Sequence, residues 1–244
     1  MKRLKAALAV VALASIAPLA QASIQITWKI DGGVNGSGSC IEATNFGPGD
    51  RFVDCGSFNS NDGMLHIRAL TAASNSPGSA AQSNESSDTV RLFSSDLSAS
   101  HTIHIDVASQ DFALPTAPPD LTFLSHIGGT VVTGASGNAI SYRSCVDQVN
   151  SLAGCPGTYQ SAFSKPAVTA AGTFEDNQSS FISPLLTGYA IDEQLDITIG
   201  AGGELGFQAS TSLTPVPEPM SIALLGGVVL LTSRLIRRKR NQVS

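Results

Sequence analysis

Apolar and polar residues alternate in short segments through residues 23–214, and Gly, Ser, Asn or Pro separates one segment from the next. The first segment runs from Ile24 to Ile30, and the clearest runs from Glu204 to Leu213. Alternation with a period of two residues is typical of a β-strand with one buried face. Helical periodicity is confined to the two ends of the chain. The sequence therefore predicts an all-β domain, an antiparallel β-sandwich or jelly roll with about eight to ten strands.

The remaining candidate strands are short runs of alternating or β-branched residues. They cover residues 65–69, 90–92, 103–107, 130–133, 140–143, 167–173 and 195–199. The stretch 71–88 is rich in Ser, Ala and Asn, which predicts a surface loop, and the prolines of residues 115–120 predict a connector between two sheets. Glycines at 200, 202 and 203, before the last strand, predict a hairpin turn.

Four cysteines lie in this domain, and an even number in an exported chain indicates two disulfides with three possible pairings. The spacings of 15 and 10 residues favour the local pairs Cys40–Cys55 and Cys145–Cys155. A zinc site prefers cysteines closer together, as in Cys-x-x-Cys, and that motif does not occur here. We therefore expect structural disulfides and assign no metal or cofactor.

The domain is strongly acidic, because residues 23–214 contain 18 Asp and Glu but only 6 Lys and Arg, a net charge of −12. Such a surface repels nucleic acid and anionic lipid, so neither is expected as a partner. Divalent cations and neutral or cationic sugars are better suited to it. A surface charge that simply keeps an exported protein soluble explains the same composition.

Residues 1–22 have the three parts of a secretory signal peptide. Lys2, Arg3 and Lys5 form the positive start, an apolar run follows, and Ala20-Gln21-Ala22 offers the small residues that signal peptidase needs. We expect cleavage before Ser23 and export through the general secretion machinery.

Residues 215–244 have three parts in a fixed order. The motif Pro217-Glu218-Pro219 comes first, an apolar segment at 220–236 follows, and five basic residues end the chain: Arg234, Arg237, Arg238, Lys239 and Arg240. The apolar segment has 17 residues, fewer than the about 20 that normally span a bilayer, which suits a short transmembrane helix and a transient anchor. The basic residues should stay in the cytoplasm under the positive-inside rule, with the domain on the other side.

This C-terminal arrangement resembles the PEP-CTERM sorting signal of Gram-negative bacteria, and the resemblance covers about 30 of the 244 residues. In that family exosortase, a membrane-embedded cysteine transpeptidase, recognises the tripeptide, the tail is removed, and the protein reaches the cell surface or the exopolysaccharide matrix. The resemblance implies that Pro217, Glu218 and Pro219 are the recognition residues. It also implies an inner-membrane intermediate with exosortase as a partner.

Candidate catalytic residues are few. His101 and His104 are three residues apart on a candidate strand, so their side chains should point to opposite faces, whereas His104 and Asp106 share a face. A serine near that pair would complete a hydrolase-like trio, but the serines are too many for this to be informative. Asp192, Glu193 and Asp196 form an acidic cluster in which Asp192 and Asp196 share a strand face, and this leaves a paired-carboxylate glycosidase open. We assign no catalytic residue.

Candidate binding residues are equally sparse. Asp50, Asp54 and Asp62 lie in or near turns that could hold calcium, although a plain turn explains the sequence 59–63 as well. Exposed Trp and Tyr often form sugar platforms, but Trp28 alternates with isoleucines and is expected in the core.

The sequence thus predicts three parts: a signal peptide (1–22), an exported β-sandwich domain (23–214) and a sorting signal (215–244). The expected function is a non-enzymatic structural or adhesive role with exopolysaccharide or biofilm. A carbohydrate- or calcium-binding module is the alternative, and a secreted hydrolase is third.

Overall fold

The computed structural model describes residues 23–31, 36–42, 51–117, 120–152, 155 and 158–217, with the backbone alone for 158–163. The signal peptide (1–22), the segment 220–236, the basic tail, Glu218, Pro219 and Asp50 lie outside the described residues. In the described part of the chain, no helix is both long and apolar enough to cross a membrane.

The described residues form twelve β-strands. In chain order these are β1 (Ile24–Asp31), β2 (Ser37–Ile41), β3 (Arg51–Asn59), β4 (Leu65–Ser74), β5 (Ser83–Ser94), β6 (His101–Phe112), β7 (Leu121–Thr133), β8 (Ala139–Asp147), β9 (Thr158–Ser164), β10 (Gly172–Ile182), β11 (Tyr189–Ile199) and β12 (Glu204–Pro215).

The strands form two antiparallel sheets of six. Sheet A has the order β2-β1-β6-β11-β8-β9, and sheet B has the order β10-β7-β12-β5-β4-β3. The eight strands from β5 to β12 have the strand order of a jelly roll. In sheet A they follow the order β6-β11-β8-β9, and in the facing sheet B they follow the order β5-β12-β7-β10. The β1–β2 pair extends sheet A, and the β3–β4 pair extends sheet B. The predicted sandwich is therefore present, with more strands than expected.

Alternation in β12 shows why these sequences form strands. Leu205, Phe207, Ala209, Thr211 and Leu213 are all buried on the inner face, and the residues between them lie on the outer face. A period of two residues puts every second side chain on the same face of a sheet. The prediction of this strand and of its buried face is confirmed.

Three local predictions were wrong. Residues 71–88 are not one surface loop, because β4 and β5 occupy most of them and leave only 75–82 as a connection. Residues 167–171 lie outside any strand, and β10 begins only at Gly172. The turn at Gly200 to Gly203 is present, but it passes from β11 in sheet A to β12 in sheet B, so the two strands do not form a hairpin. The predicted connector at 115–120 does lead from sheet A to sheet B, from β6 to β7.

The interior contains two apolar clusters. The larger one surrounds Ile26, Leu65 and Ile105, and the smaller one surrounds Phe112, Phe123 and Tyr189. Buried polar side chains also point into the sandwich, Glu85 and Glu193 among them. The core is therefore not uniformly apolar.

Both disulfides join the cysteines that the spacing favoured, Cys40 with Cys55 and Cys145 with Cys155. The first ties β2 of sheet A to β3 of sheet B, and the second ties β8 to the connection that follows it. Disulfides that close loops of this size stabilise a domain by about 2–4 kcal/mol, mainly by restricting the unfolded chain.

Candidate functional site

The outer face of sheet B carries a shallow groove of about 520 Å³ across β5, β12, β7 and β10. We call it the outer-face groove. Its polar side chains include Asp88, His126, Glu175 and Gln208, and Gly128 and Gly206 line it as well. The side chains belong to the outward-facing positions of four neighbouring strands, so the sheet itself holds them in place.

Two rows of side chains run across the whole of sheet B, perpendicular to its strands. The acidic row consists of directly paired residues on six strands: Asp54, Thr71, Asp88, Gln208, Gly128 and Glu175. The serine row lies beside it and consists of Phe52, Ala73, Ser86, Ser210, His126 and Asn177. Strands about 4.8 Å apart make each row about 24 Å long.

A second depression of about 190 Å³ continues the groove towards β3. Phe52, Thr71 and Ser86 line it, and it shares Asp88 and Gln208 with the outer-face groove. Phe52 is 42% exposed at the end of the serine row, so it presents an apolar ring beside polar groups. The two depressions form one extended surface with Asp88 and Gln208 near its middle.

Glycines in β7 and β12 allow this surface to be shallow and closely packed. A Cβ atom at Gly129 would lie 2.2 Å from the carbonyl oxygen of Gly206 and 2.8 Å from the ring of Phe174. At Gly128 the nearest atoms to a Cβ would be those of the His126 ring, at 3.3 Å, and the Phe174 carbonyl oxygen, at 3.4 Å. Gly129 is thus required by packing, whereas Gly128 keeps the floor of the groove low.

The groove is acidic. His126 Nε2 lies 3.6 Å from Glu175 Oε1, and partial burial raises the pKa of Asp88 above its ordinary value. Carboxylates, an amide and an imidazole can all exchange hydrogen bonds with a ligand that carries hydroxyl groups.

The structure places His104 on the outer face of sheet A, between two carboxylates. Its Nε2 lies 2.6 Å from Asp31 Oδ2, and its Nδ1 lies 2.5 Å from Asp196 Oδ1. The hydrogen bond to Asp31 is the main reason that the pKa of His104 is raised. Because both ring nitrogens are engaged, neither is available to take a proton from a serine. Asp106 is close enough to interact electrostatically with His104, and burial raises the pKa of Asp106.

Asp192 and Asp196 lie on the same outer face, as predicted, but in different surroundings. Asp192 is fully buried against Cys145 Sγ, at 3.6 Å, and burial raises its pKa to about 8. Asp196 is exposed and binds His104. Since the Asp192 carboxyl is out of reach of a substrate, this pair does not form a glycosidase site. The cysteines beside Asp192 are joined in a disulfide, so they are not metal ligands.

Two of the aspartates considered for calcium, Asp54 and Asp62, bind backbone or side-chain groups close to them in sequence. Asp62 accepts hydrogen bonds from the Ser60 hydroxyl and the Met64 amide, and Asp54 accepts one from the Gly56 amide at 2.7 Å. Asp62 therefore caps the turn at residues 59–63, as the plain-turn interpretation expects, whereas Asp54 binds the backbone at a bulge within β3.

Trp28 was expected in the core, and it is partly buried at the edge of the core. Its ring stacks on Phe58 with centroids 4.3 Å apart and lies over Gly38. Tyr142 and Tyr189 are fully buried. None of these three rings offers a platform to a sugar.

The groove residues do not stand out in the sequence. Asp88 ends a stretch with the composition of a loop, and nothing in the sequence connects His126 with Glu175 or Gln208. The outward positions of β12 were visible in the alternation and included Gln208. The pairing of β12 with β5 and β7 could not be predicted, because one sequence does not reveal the register between strands that are distant along the chain.

No family model matches the chain, and no curated protein matches it. Among solved structures, a carbohydrate-binding module in complex with β-1,4-galactotriose is 12% identical with a TM-score of 0.30, and the match covers 59% of this chain and 86% of that one. A structure of carbohydrate-binding modules from the β-sandwich superfamily is 11% identical with a TM-score of 0.24, covering 76% and 82%. An arabinose-bound α-L-arabinofuranosidase is 13% identical with a TM-score of 0.28, covering 53% and 19%. Likeness at these TM-scores carries no argument about function.

Proposed function

We propose that this protein is a non-enzymatic, exported binding module that holds polysaccharide on the outer face of sheet B. The observation that carries the proposal is the extended surface formed by the outer-face groove and the depression beside it. A sugar chain laid across the strands would meet the acidic row and the serine row along their whole length.

The chemistry of the surface favours uncharged or cationic sugars. Sugar hydroxyls donate and accept hydrogen bonds, which matches the carboxylates, amides, hydroxyls and imidazole of the two rows. Asp88 and Glu175 are acidic, and the domain as a whole has a net charge of −12, which disfavours anionic polymers. The ring of Phe52 supplies an apolar contact at one end.

The spacing of the groove carboxylates favours binding over hydrolysis. Asp88 and Glu175 belong to β5 and β10, which are three strand spacings apart, or about 14 Å. Glycosidases hold their two carboxyl groups about 5–9.5 Å apart. The groove is also shallow, so it does not enclose a bond and exclude water from it.

The test of binding is calorimetric titration of the purified protein with a panel of neutral, amino and acidic polysaccharides. We expect a neutral or amino polysaccharide to bind and Gln208→Ala to weaken binding at least tenfold. Gln25→Ala is the matched control, because Gln25 lies on the outer face of sheet A and should leave binding unchanged. Equal loss in both variants, or no binding by any polysaccharide, would refute the groove as the site.

The display of this module at the cell surface or in the matrix is part of the same proposal. Exosortase would recognise Pro217, Glu218 and Pro219 while the segment 220–236 holds the chain in the inner membrane. The two disulfides suit an oxidising compartment. The Val216 amide donates a hydrogen bond to the Asp120 carbonyl at 2.8 Å, so the chain stays attached to the domain up to the start of the motif.

Sorting is tested by intact mass of the surface fraction from host cells with and without exosortase. We expect a species that starts at Ser23 and lacks the tail only where the enzyme is present. Glu218→Ala should leave the domain folded and trap the precursor in the inner membrane. A species that still carries residues 237–240 in both strains would remove the sorting proposal and leave the binding proposal untouched.

A further inference from the structure

Polar side chains from both sheets meet inside the sandwich. Sheet B contributes Glu85, Thr211 and Ser125, which are directly paired neighbours on β5, β12 and β7, together with Ser87. Sheet A contributes Glu193 and its direct neighbour Ser144, together with Ser109 and Tyr142. All of these side chains are at most 2% exposed. We call this set the interior polar layer.

Glu193 is well supplied with hydrogen bonds. Its Oε2 accepts one from Ser87 at 2.7 Å, and its Oε1 accepts one from Thr211 at 3.1 Å. The Thr211 hydroxyl has a single proton, which it gives to Glu193, so the Tyr142 hydroxyl donates to Thr211 at 3.0 Å. The layer thus presents Glu193 with donors only, which favours its ionised form.

Glu85 is not supplied in this way. Both of its carboxyl oxygens are buried, and within the described residues neither has a hydrogen-bond partner. Ser109 lies beside Glu85 and favours the ionised form, but the two side chains do not reach hydrogen-bond geometry. Among the described residues, the buried hydroxyls of Ser109, Ser125 and Ser144 also reach no partner in hydrogen-bond geometry, although Ser125 and Ser144 lie close enough to the Tyr142 hydroxyl to favour its ionised form. Buried oxygens of this kind are strongly destabilising unless something binds them.

The charge of the layer is equally uncompensated. Among the described side chains, no lysine, arginine or histidine is buried. Burial raises the pKa of Glu85 well above its ordinary value, the neighbouring Glu193 raises it further, and burial raises the pKa of Glu193 to about 7. Two carboxylates and several hydroxyls therefore face one another with no protein cation among them.

We propose that the interior polar layer binds one calcium ion between the two sheets, with Glu85 and Glu193 as its charged ligands. The layer offers oxygen atoms alone, which hard cations prefer, and it has no nitrogen or sulfur donor to select zinc or copper. Two carboxylates balance a divalent charge. An enclosed set of carboxylate and hydroxyl oxygens suits the six to eight flexible ligands of calcium better than magnesium, which retains several waters.

The site is separate from the outer-face groove, because the layer lies on the inner side of sheet B and the groove on its outer side. It also differs from the turn aspartates considered from the sequence, which contribute nothing to it. An ion enclosed between the sheets can enter only as they come together, so its binding should be coupled to folding.

The test is thermal unfolding of the purified protein, freed of metal and measured with excess calcium, excess magnesium or chelator, together with the calcium content at equilibrium dialysis. We expect one bound calcium per chain and a rise in Tm of about 5–10 °C when calcium exceeds its dissociation constant about 100-fold. Glu85→Gln should abolish the bound calcium and the rise in Tm. Glu175→Gln removes a carboxylate from the groove and should change neither.

Ser109→Ala gives a second readout that does not depend on removing a charge, and we expect it to weaken calcium binding at least tenfold. Absence of bound calcium in the wild type, with the same Tm in calcium and chelator, would overturn the proposal. A proton shared by the two glutamates would then be the explanation for their burial. Loss of calcium binding in Glu175→Gln alone would overturn it as well, because the ion would then sit in the groove.

Discussion

Glu193 Oε2 lies 2.7 Å from the Ser87 hydroxyl, and this hydrogen bond joins a central strand of one sheet to the sheet facing it. Glu193 belongs to β11 in sheet A and Ser87 to β5 in sheet B. Facing sheets in a sandwich are usually held by interdigitated apolar side chains. Here a hydrogen bond between a carboxylate and a hydroxyl also holds the two sheets together.

Ser87→Ala should destabilise the domain by about 1–3 kcal/mol, because it leaves one oxygen of the buried Glu193 carboxylate without a donor. Urea unfolding measures the effect. Ser86→Ala is the matched control, since Ser86 is the next residue on β5 and points to the outer face. Equal destabilisation by both substitutions would mean that the bond between sheets contributes nothing.

The stability of the metal-free protein should fall as the pH rises from about 5 to 8. Burial raises the pKa of Glu193 from 4.5 to about 7, so its favourable contribution is complete below pH 4.5 and is lost as the pH rises through 7. Glu85 on β5 and Tyr142 on β8 face it, and neither supplies a positive charge. Glu193→Gln should remove about 2–3 kcal/mol of this pH dependence, measured by urea unfolding in chelator. An unchanged slope in the variant would contradict the assignment.

His104 should stabilise the domain chiefly in its charged form. Its pKa is raised, mainly by the hydrogen bond that its Nε2 donates to the Asp31 carboxylate, so its contribution is complete below pH 6.5 and is lost as the pH rises through the folded pKa. His104→Gln should therefore be less stable than the wild type at pH 6, with the difference shrinking by pH 9. Because the site is partly exposed, salt should also reduce the difference. A difference that is constant across this pH range would show that the charge is not involved.

Gly129→Ala and Gly128→Ala should separate folding from binding at adjacent positions. The first puts a methyl group 2.2 Å from a carbonyl oxygen and should destabilise the domain by about 1–3 kcal/mol or more. The second meets a movable His126 ring and should leave the unfolding midpoint nearly unchanged. It raises the floor of the groove, so we expect weaker polysaccharide binding by calorimetry. Full binding by a folded Gly128→Ala protein would argue against that part of the groove.

Much of the fold could be predicted from alternation, and the exceptions have a physical cause. In β12 the inner positions are mostly apolar, so the pattern was visible in the sequence. In β5 the inner positions at its start are Ser83, Glu85 and Ser87, and a strand with a polar inner face has the composition of a loop. β5 was therefore hard to predict as a strand because part of its inner face belongs to the interior polar layer.

The partners of a strand are harder to predict than its existence. The glycines before β12 indicated a turn correctly, but a tight turn can lead back into the same sheet or across to the facing one. Which of these occurs depends on packing between the sheets.

The cysteine pairs could be predicted because each closes a short loop, whereas the outer-face groove depends on register among strands far apart in sequence.

β12 is the last strand in the described part of the chain, yet it lies in the middle of sheet B, between β7 and β5. When synthesis or translocation has reached Ile199, sheet B therefore consists of two separate parts. These are β10-β7 and β5-β4-β3, with no strand to join them. Each part would have an open edge able to pair with another chain. Completion of the sheet must wait for residues immediately before the C-terminal motif, so the order of synthesis places the closing of this sandwich among its final events.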